Sequence, residues 1–371
     1  MINSNRLIDN FKKLVSLDSP SLNERKVCDF LKDYFNSIGV ECFEDNAGEA
    51  IGATAGNLYV YVDGDLKAEP ILFAAHTDTV EPALSKKAVV AADGIITSDG
   101  TTVLGSDDLA GVVSILEALT VIKEKNIPHR PIEIVFSVCE EKYCWGMNAF
   151  DFGKLKSKQA YVFDLDGKVG TAAVSAPTIL SYTAKFIGKS AHAGFASHLG
   201  VHAIKAACKA VCDIPCGNIA PGVSANVGII NGGKATNIVP DSCTIVGEIR
   251  SFDDADAENR YNQVKEICIK SAEELGAKAD VDFTRSVTAF ETDENSITVQ
   301  RFKKACEKTG VDCVLQPTFG GSDNNVLACH GIEGIVVATA MNNCHTVNEY
   351  TSVEQLEKAA QLAYNLMTSQ D

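Results

Sequence analysis

The sequence predicts an α/β protein with a mainly parallel sheet flanked by helices, interrupted by an inserted α+β domain. Apolar strand-like segments alternate with amphipathic helical segments over residues 1–177, a ferredoxin-like order of elements follows, and the first pattern resumes near residue 289. We therefore expect a first domain built from residues 1–177 and 289–371, with residues 178–288 inserted as a second domain.

Two amphipathic helices begin the predicted first domain. Leu7, Phe11 and Leu14 recur at helical spacing, and a second helix is predicted from Val27 to a stop at Gly39. The elements predicted next are strands at 57–62 and 71–75, a helix at 109–125, and strands at 132–138 and 160–163. Such alternation is typical of a parallel sheet covered by helices on both faces.

The inserted segment has the order β-α-β-β-α-β, which describes a ferredoxin-like module. Its predicted elements are a strand at 179–187, a helix at 201–212, strands at 225–230 and 243–250, a helix at 255–275 and a strand at 279–283. The first pattern then resumes with a helix at 296–309, a strand at 334–339 and a final helix from residue 353.

Composition excludes two classes of partner. The chain has 371 residues, is 46% hydrophobic and carries a net charge of −16. It can therefore bury a large core, and its charge disfavours binding to nucleic acid or to anionic membranes. No segment approaches the roughly 18 apolar residues of a membrane helix, and no signal peptide is evident, so we expect a cytoplasmic protein. We expect its thirteen cysteines to be reduced, because several lie within apolar patterns.

A histidine and an aspartate follow the apolar strand predicted at 71–75. His76 should lie at the carboxyl end of that strand, where open α/β sheets bind their ligands. Asp78 could accept the second imidazole N–H while the other ring nitrogen binds a metal. A merely capped strand end is the alternative interpretation.

Two pairs of neighbouring acids follow. Asp107 and Asp108 precede the helix at 109–125, so one of them could cap it while the other bridges two cations. Glu140 and Glu141 end a buried strand, where they repel each other unless a cation or proton intervenes. One would be a metal ligand and the other a general base, although a solvated loop pair is also possible.

Two further candidate ligands complete the set. Asp164 ends an apolar strand, with Asp166 as a competing candidate, and His345 follows the last predicted strand. Imidazole suits zinc, and bridging carboxylates allow two cations to lie close together, so the set indicates a two-zinc hydrolase. No nucleophilic serine or cysteine motif competes with it.

Several motifs together resemble one enzyme family. In chain order they are Ala75-His-Thr-Asp-Thr-Val, Leu104-Gly-Ser-Asp-Asp, Glu140-Glu141, Tyr161-Val-Phe-Asp, Gly188-Lys-Ser-Ala-His-Ala-Gly, Gly232-Gly-Lys-Ala-Thr-Asn, Gly320-Gly-Ser-Asp and Cys344-His-Thr. With these motifs in this order, the chain resembles the peptidase T-like branch of the dinuclear zinc peptidases, which also contain carboxypeptidase G, succinyl-diaminopimelate desuccinylase and acetylornithine deacetylase. The resemblance covers nearly the whole chain.

The resemblance implies a role for each ligand. It implies two Zn²⁺ per subunit, with Co²⁺ or Mn²⁺ as alternatives, and Asp78 orienting His76 while Glu140 acts as general base. The implied ligands are His76 and Asp164 on one ion, Glu141 and His345 on the other, and Asp107 bridging both.

The resemblance also implies that the inserted domain is a lid through which two copies form a homodimer. His192 would reach a substrate or oxyanion in the partner's site, and Asn237, Arg250 and Gly321 would lie near substrate. From the residues alone, His192 could equally be a polar loop residue and Arg250 a surface arginine at a strand end.

The activity implied is a metal-dependent exopeptidase acting on short peptides, specifically a tripeptide aminopeptidase. The alternatives are an N-acyl amino acid deacylase or carboxypeptidase of the same family, or a catalytically silent metal-binding protein. Three departures from the family pattern leave the substrate preference open: Leu109 replaces a lysine, and Tyr143 and Trp145 follow the glutamate pair.

Overall fold

The computed structural model describes residues 2–370, which divide into two compact units. Of the described residues, unit 1 comprises 2–175, 291–318 and 322–370, and unit 2 comprises Ala176–Phe290 and Phe319–Gly321. Unit 1 is therefore discontinuous in the sequence.

The first part of unit 1 alternates helices with strands. Its helices are α1 (Ser4–Val15), α2 (Arg25–Ser37), α3 (Ala47–Ile51), α4 (Ser106–Lys125) and α5 (Trp145–Asn148). Its strands are β1 (Cys42–Glu44), β2 (Leu58–Val62), β3 (Ile71–His76), β4 (Val89–Val90), β5 (Ile95–Thr97), β6 (Ile132–Ser137), β7 (Gln159–Asp166) and β8 (Thr171–Ala176).

Unit 2 is a five-stranded antiparallel sheet with two helices. Its elements are β9 (Thr178–Ile187), α6 (Ala203–Asp213), β10 (Gly217–Ala220), β11 (Val223–Gly232), β12 (Ser242–Ser251), α7 (Asp254–Glu273) and β13 (Lys278–Val287). The strand order β10-β11-β12-β9-β13 contains the predicted ferredoxin-like arrangement, with β10 added as an extra edge strand. Small apolar side chains of α6 and α7 pack with the sheet in a separate core.

The rest of unit 1 follows unit 2 in the chain. Its elements are β14 (Phe290–Glu291), α8 (Ile297–Thr309), β15 (Val314–Pro317), α9 (Asp323–Cys329), β16 (Glu333–Met341), β17 (Tyr350–Ser352) and α10 (Val353–Met367). Serine side chains cap three of these helices, as residues with a short hydroxyl are suited to do.

The main sheet of unit 1 is parallel at its centre and antiparallel towards its edges. The strand order is β1-β2-β6-β3-β7-β16-β8-β14, with β15 paired to β8. The four central strands β6, β3, β7 and β16 are mutually parallel, whereas β2 and β8 flank them antiparallel. The predicted fold class is confirmed, and the antiparallel flanks are additions that the sequence did not indicate.

Helix α4 is the centre of the unit 1 core. It is buried along most of its length and packs on β3, β7 and β16 as well as on α1 and α10. All thirteen cysteines are free thiols in the structure. Within residues 2–370 no helix has the length and apolar character needed to span a membrane.

Candidate metal centre

The carboxyl ends of the central strands carry the predicted ligands. His76 is the last residue of β3, which pairs in parallel with β6 and β7. Glu140 and Glu141 form a short 3₁₀ turn after β6, Asp164 lies on β7, and His345 follows β16. Because neighbouring parallel strands end at the same edge of a sheet, these side chains meet there.

The imidazole of His76 is buried and has a defined tautomer. Its Nδ1 atom lies 3.0 Å from the backbone carbonyl oxygen of Asp78, and because a carbonyl can only accept, Nδ1 carries a proton. Atom Nε2 faces Oδ1 of Asp107 at 3.1 Å and Oδ1 of Asp164 at 3.5 Å. A ring lone pair facing carboxylates requires a proton or a metal cation between them, so Nε2 is oriented as a metal ligand.

A second cluster surrounds Nε2 of His345. This atom lies 3.1 Å from Oε1 of Glu141 and 3.2 Å from Oδ2 of Asp107. Asp107 thus turns Oδ1 towards His76 and Oδ2 towards His345, as a carboxylate shared by two cations would. The His345 side chain is 56% exposed and that of His76 is 1% exposed, so the second cluster is the more accessible one.

The carboxylate of Asp78 mainly positions the glutamate pair. Its Oδ1 accepts the backbone N–H of Glu140 at 2.9 Å, and its Oδ2 accepts the N–H of Glu141 and the hydroxyl of Ser21. The sequence predicted that this carboxylate would accept the imidazole N–H of His76. It lies 3.4 Å from Nδ1, whereas the Asp78 backbone carbonyl is closer.

The segment carrying Asp107 is held by Glu349. The Glu349 carboxylate is buried and accepts the backbone N–H of Gly105 at 2.7 Å, the hydroxyl of Ser106 at 2.6 Å and the backbone N–H of Asp107 at 2.9 Å. These three bonds fix the backbone immediately before the shared carboxylate.

Asp108 performs the capping role predicted for one of the two aspartates. Its Oδ1 accepts the backbone N–H of Gly111 at 3.2 Å, one turn into α4, and its Oδ2 accepts the N–H of His76 at 3.1 Å. Asp108 therefore joins the start of α4 to the end of β3 and leaves Asp107 free to face both histidines.

The centre concentrates negative charge that no basic side chain balances. Within residues 2–370, the histidines alone pair with the carboxylates of Asp107, Glu140, Glu141 and Asp164. Burial raises the pKa of Asp164 to about 7, and burial with repulsion from Asp164 raises the pKa of Glu140 well above its ordinary value. Buried acids in this arrangement are stabilised by divalent cations, so the residues present fit a dinuclear metal site.

Asp166 and the three departures from the family pattern lie outside these clusters. Asp166 is exposed and contacts neither histidine cluster, so the geometry favours Asp164 as the ligand. Leu109 is fully buried in the core, an environment that suits an apolar side chain. Tyr143 and Trp145 follow the glutamate turn and are 41% and 46% exposed.

His192, a candidate from unit 2, lies on an exposed loop. Its Nδ1 accepts the backbone N–H of Gly194 at 3.1 Å, so a neutral ring carries its proton on Nε2. The ring of Phe195, itself 78% exposed, stacks on the imidazole with centroids 3.9 Å apart. His192 is therefore oriented as a hydrogen-bond donor.

The other candidates of unit 2 are held differently. The guanidinium of Arg250 is already paired with both carboxylate oxygens of Glu248 and donates to the carbonyl of Phe319. Asn237 is exposed, and Gly321 lies against apolar side chains that leave little room for a Cβ atom. None of these three has a partner that identifies it as a ligand-binding residue.

Two buried acids near the centre were not predicted from the sequence. No sequence pattern around Glu349 predicted its role, because the three groups that it binds lie 242 to 244 residues earlier in the chain. Asp323 is buried and accepts a 2.5 Å hydrogen bond from the hydroxyl of Ser137. Asp323 belongs to the motif Gly320-Gly-Ser-Asp, from which only a substrate-binding role for Gly321 was predicted.

Comparison with known proteins identifies the family. Residues 174–275 match the model of the peptidase dimerisation domain, and residues 57–206 match that of Peptidase family M28. An uncharacterised protein, YqjE of Bacillus subtilis, is 38% identical over 362 residues, which covers 98% of this chain and 97% of the relative.

Two solved structures are similar over almost their whole length. Aminopeptidase PepT from Bacillus cereus is 40% identical with a TM-score of 0.89, and a tripeptidase from Staphylococcus aureus is 34% identical with a TM-score of 0.94. Each alignment covers 99% of this chain and 98% of the other. The chain therefore belongs to the peptidase T-like branch of the dinuclear metallopeptidase family.

Proposed function

We propose that this chain is a two-zinc exopeptidase that removes amino-terminal residues from short peptides, tripeptides above all. The observation that carries the proposal is the buried carboxylate of Glu140, whose Oε2 lies 4.0 Å from Nε2 of His76, beside carboxylates and histidines arranged for two cations. The structural relatives named aminopeptidase and tripeptidase support the choice of substrate class.

The proposed ligands follow the two clusters. His76 and Asp164 would hold one zinc, Glu141 and His345 the other, and Asp107 would be shared, because its two oxygens face the two histidines. When bound, such cations lower the pKa of water and polarise a carbonyl group.

Glu140 is the proposed general base. Its Oε2 lies 4.0 Å from Nε2 of His76, beside the proposed metal ligands, so it can accept a proton from the attacking water and deliver it to the leaving amine. Asp78 supports this role by fixing the backbone N–H of Glu140. The backbone that carries the Glu140 side chain is therefore held in place before substrate arrives.

Unit 2 supplies the remaining parts of the proposal. It would be the dimerisation and lid domain of a homodimer, with His192 of each copy donating from Nε2 to the oxyanion formed in the partner's centre. Arg250 would bind a substrate carboxylate only after exchanging its present contact with Glu248, and Asn237 and Gly321 would line the same region.

A substrate panel tests the proposed function. Metal-replete protein is incubated with di- and tripeptides, each free and N-acetylated, and with N-acyl amino acids, with and without a chelator. We expect chelator-sensitive release of the amino-terminal residue from free tripeptides. Cleavage of acylated compounds alone would indicate a deacylase, and release of the carboxyl-terminal residue would indicate a carboxypeptidase. Metal binding without any hydrolysis would indicate a catalytically silent metal-binding protein.

A further inference from the structure

A thiol and two carboxylates form a third cluster in unit 1. Potential ligand atoms of Glu140, Cys144 and Asp323 lie within 4.8 Å of one another, and all three residues are buried. The cluster contains no histidine. Glu140 belongs both to this cluster and to the metal centre. Its Oε2 faces Nε2 of His76 at 4.0 Å, and its Oε1 lies 3.4 Å from Sγ of Cys144.

One carboxylate oxygen of Asp323 is independent evidence that this cluster can accept a cation. The residue is 1% exposed, and its Oδ2 accepts the hydroxyl of Ser137. Its Oδ1 is buried and has no hydrogen-bond partner among the described residues. A buried carboxylate oxygen without a partner is costly, and a cation would satisfy it.

The spacing of the thiol and carboxylate matches metal coordination. Zinc binds sulfur at about 2.3 Å and carboxylate oxygen at about 2.0 Å, so tetrahedral geometry separates the two ligand atoms by about 3.5 Å. The thiol of Cys144 donates a hydrogen bond to Oε1 of Glu140 with Sγ and Oε1 3.4 Å apart, a separation that coordination of a metal ion would preserve. Two of the three ligands therefore already stand at a coordinating distance from each other.

We propose that Glu140, Cys144 and Asp323 form a third cation site that takes a thiophilic divalent ion, Zn²⁺ in excess or Cd²⁺. The thiol selects against Mg²⁺ and Ca²⁺, which prefer oxygen ligands. On binding, Cys144 releases its S–H proton to solvent, and the thiolate and two carboxylates coordinate the ion.

Occupancy of this site should inhibit the enzyme. Glu140 can no longer accept a proton while its carboxylate coordinates the third ion, so hydrolysis stops. This consequence rests on the proposed function, whereas the binding itself does not. Excess metal would then reverse the activation produced by the first two ions.

The test titrates Cd²⁺ into protein that has first been equilibrated with two equivalents of Zn²⁺. Bound cadmium is counted by mass spectrometry of the metals, and thiolate coordination is followed by its ultraviolet charge-transfer absorption. Wild type should bind one more cadmium ion than Cys144→Ser and show the larger absorption. Its activity should fall about tenfold or more, each protein being compared with its own cadmium-free activity.

Matched variants separate this site from the other twelve cysteines. Cys139→Ser is the control, because that thiol is also buried and lies 3.1 Å from Oε1 of Glu24 but belongs to no three-ligand cluster, so it should behave like wild type. Asp323→Asn keeps the thiol and should weaken the extra cadmium binding by about tenfold or more.

Three results would overturn the proposal. Equal cadmium content and absorption in wild type and Cys144→Ser would remove the site. Unchanged cadmium affinity in Asp323→Asn would exclude that ligand, and inhibition equal in all variants would remove the inhibitory role. The metal count and absorption stay informative even if no peptide is cleaved, so failure of the proposed function is recognised separately.

Discussion

The metal centre of unit 1 and the substrate candidates of unit 2 are held in contrasting ways. His76, Asp78 and Asp107 are buried, and each is fixed by hydrogen bonds or charge contacts to other residues of the centre. His192 and Asn237 are exposed. Residues that bind a resident cation are preorganised by their own unit, whereas residues that act on a transient ligand remain accessible.

The largest effect expected within the centre comes from changing its proposed general base. Glu140→Gln keeps the size of the side chain but cannot accept a proton, so turnover should fall by about a thousandfold or more while both metals stay bound. Turnover on a tripeptide and metal content are measured together. Glu49→Gln, at an exposed position, is the control. Near-normal turnover in Glu140→Gln would show that another group is the base.

A buried lysine of unit 1 tests how burial changes the pKa of a side chain and, through it, the stability of the protein. Lys86 is 2% exposed, and its Nζ donates to Thr79 at 3.0 Å. Burial lowers its pKa to about 8, against the opposing effect of Asp18, Glu349 and Glu81. Between about pH 8 and the ordinary lysine value near 10.5 the unfolded chain binds more protons, so stability should rise with pH in that window.

Lys86→Met removes this dependence. Relative to the variant, the free energy of unfolding of wild type should increase by about 3 kcal/mol between pH 8 and 10.5. Urea unfolding of both proteins across this pH range measures the difference between their free energies of unfolding. The contributions of the other titrating groups are the same in both proteins and cancel in this difference. Parallel pH profiles would mean that the Lys86 ammonium is as well solvated in the folded state as in the unfolded chain.

The exposed histidine of unit 2 is tested by activity and by complementation. His192→Ala should lower turnover by about a hundredfold, the cost of one oxyanion donor, with metal content unchanged. His198→Ala, on the same exposed loop, is the control. If His192 acts in the partner's centre, mixing His192→Ala with Glu140→Gln should restore activity that neither has alone. A monomeric protein, or no recovery on mixing, would contradict that role.

The smallest of these effects concerns the support of the shared ligand. Glu349→Gln cannot accept all three hydrogen bonds, so the segment before Asp107 should loosen and metal affinity should weaken by about tenfold. Competition with a chromophoric chelator measures the affinity. Glu354→Gln, exposed at the start of α10, should leave it unchanged. Equal metal affinities of wild type and Glu349→Gln would show that the hydrogen bonds of Glu349 are not needed to position Asp107.

The sequence was sufficient to predict the fold class and the meeting of the candidate ligands at one edge of the sheet. Strand ends were identifiable because apolar runs stop at His76 and at Glu140, and parallel strands bring such ends to one edge. The short strands β8 and β14 were missed, since they carry little apolar alternation and depend on pairing with distant strands.

Other parts of the site depend on contacts that no local pattern encodes. Glu349 binds a segment more than two hundred residues earlier, and the Asp78 carboxylate is used by the glutamate turn. The pairing of Arg250 with Glu248 was readable in principle, because residues two apart on a strand share a face. It changes the interpretation of Arg250 from a free guanidinium to one with an internal partner.

The discontinuity of unit 1 has a consequence for biosynthesis. His345 and Glu349 lie in the segment that begins at Ser322, which the ribosome makes after every residue of unit 2. Domains fold as they emerge, so unit 2 can fold while the acids of the earlier segment still lack these two residues. The set of candidate ligands is therefore complete only after unit 2 has been made, and a nascent chain interrupted before His345 contains the acids of the centre without one of its two histidines.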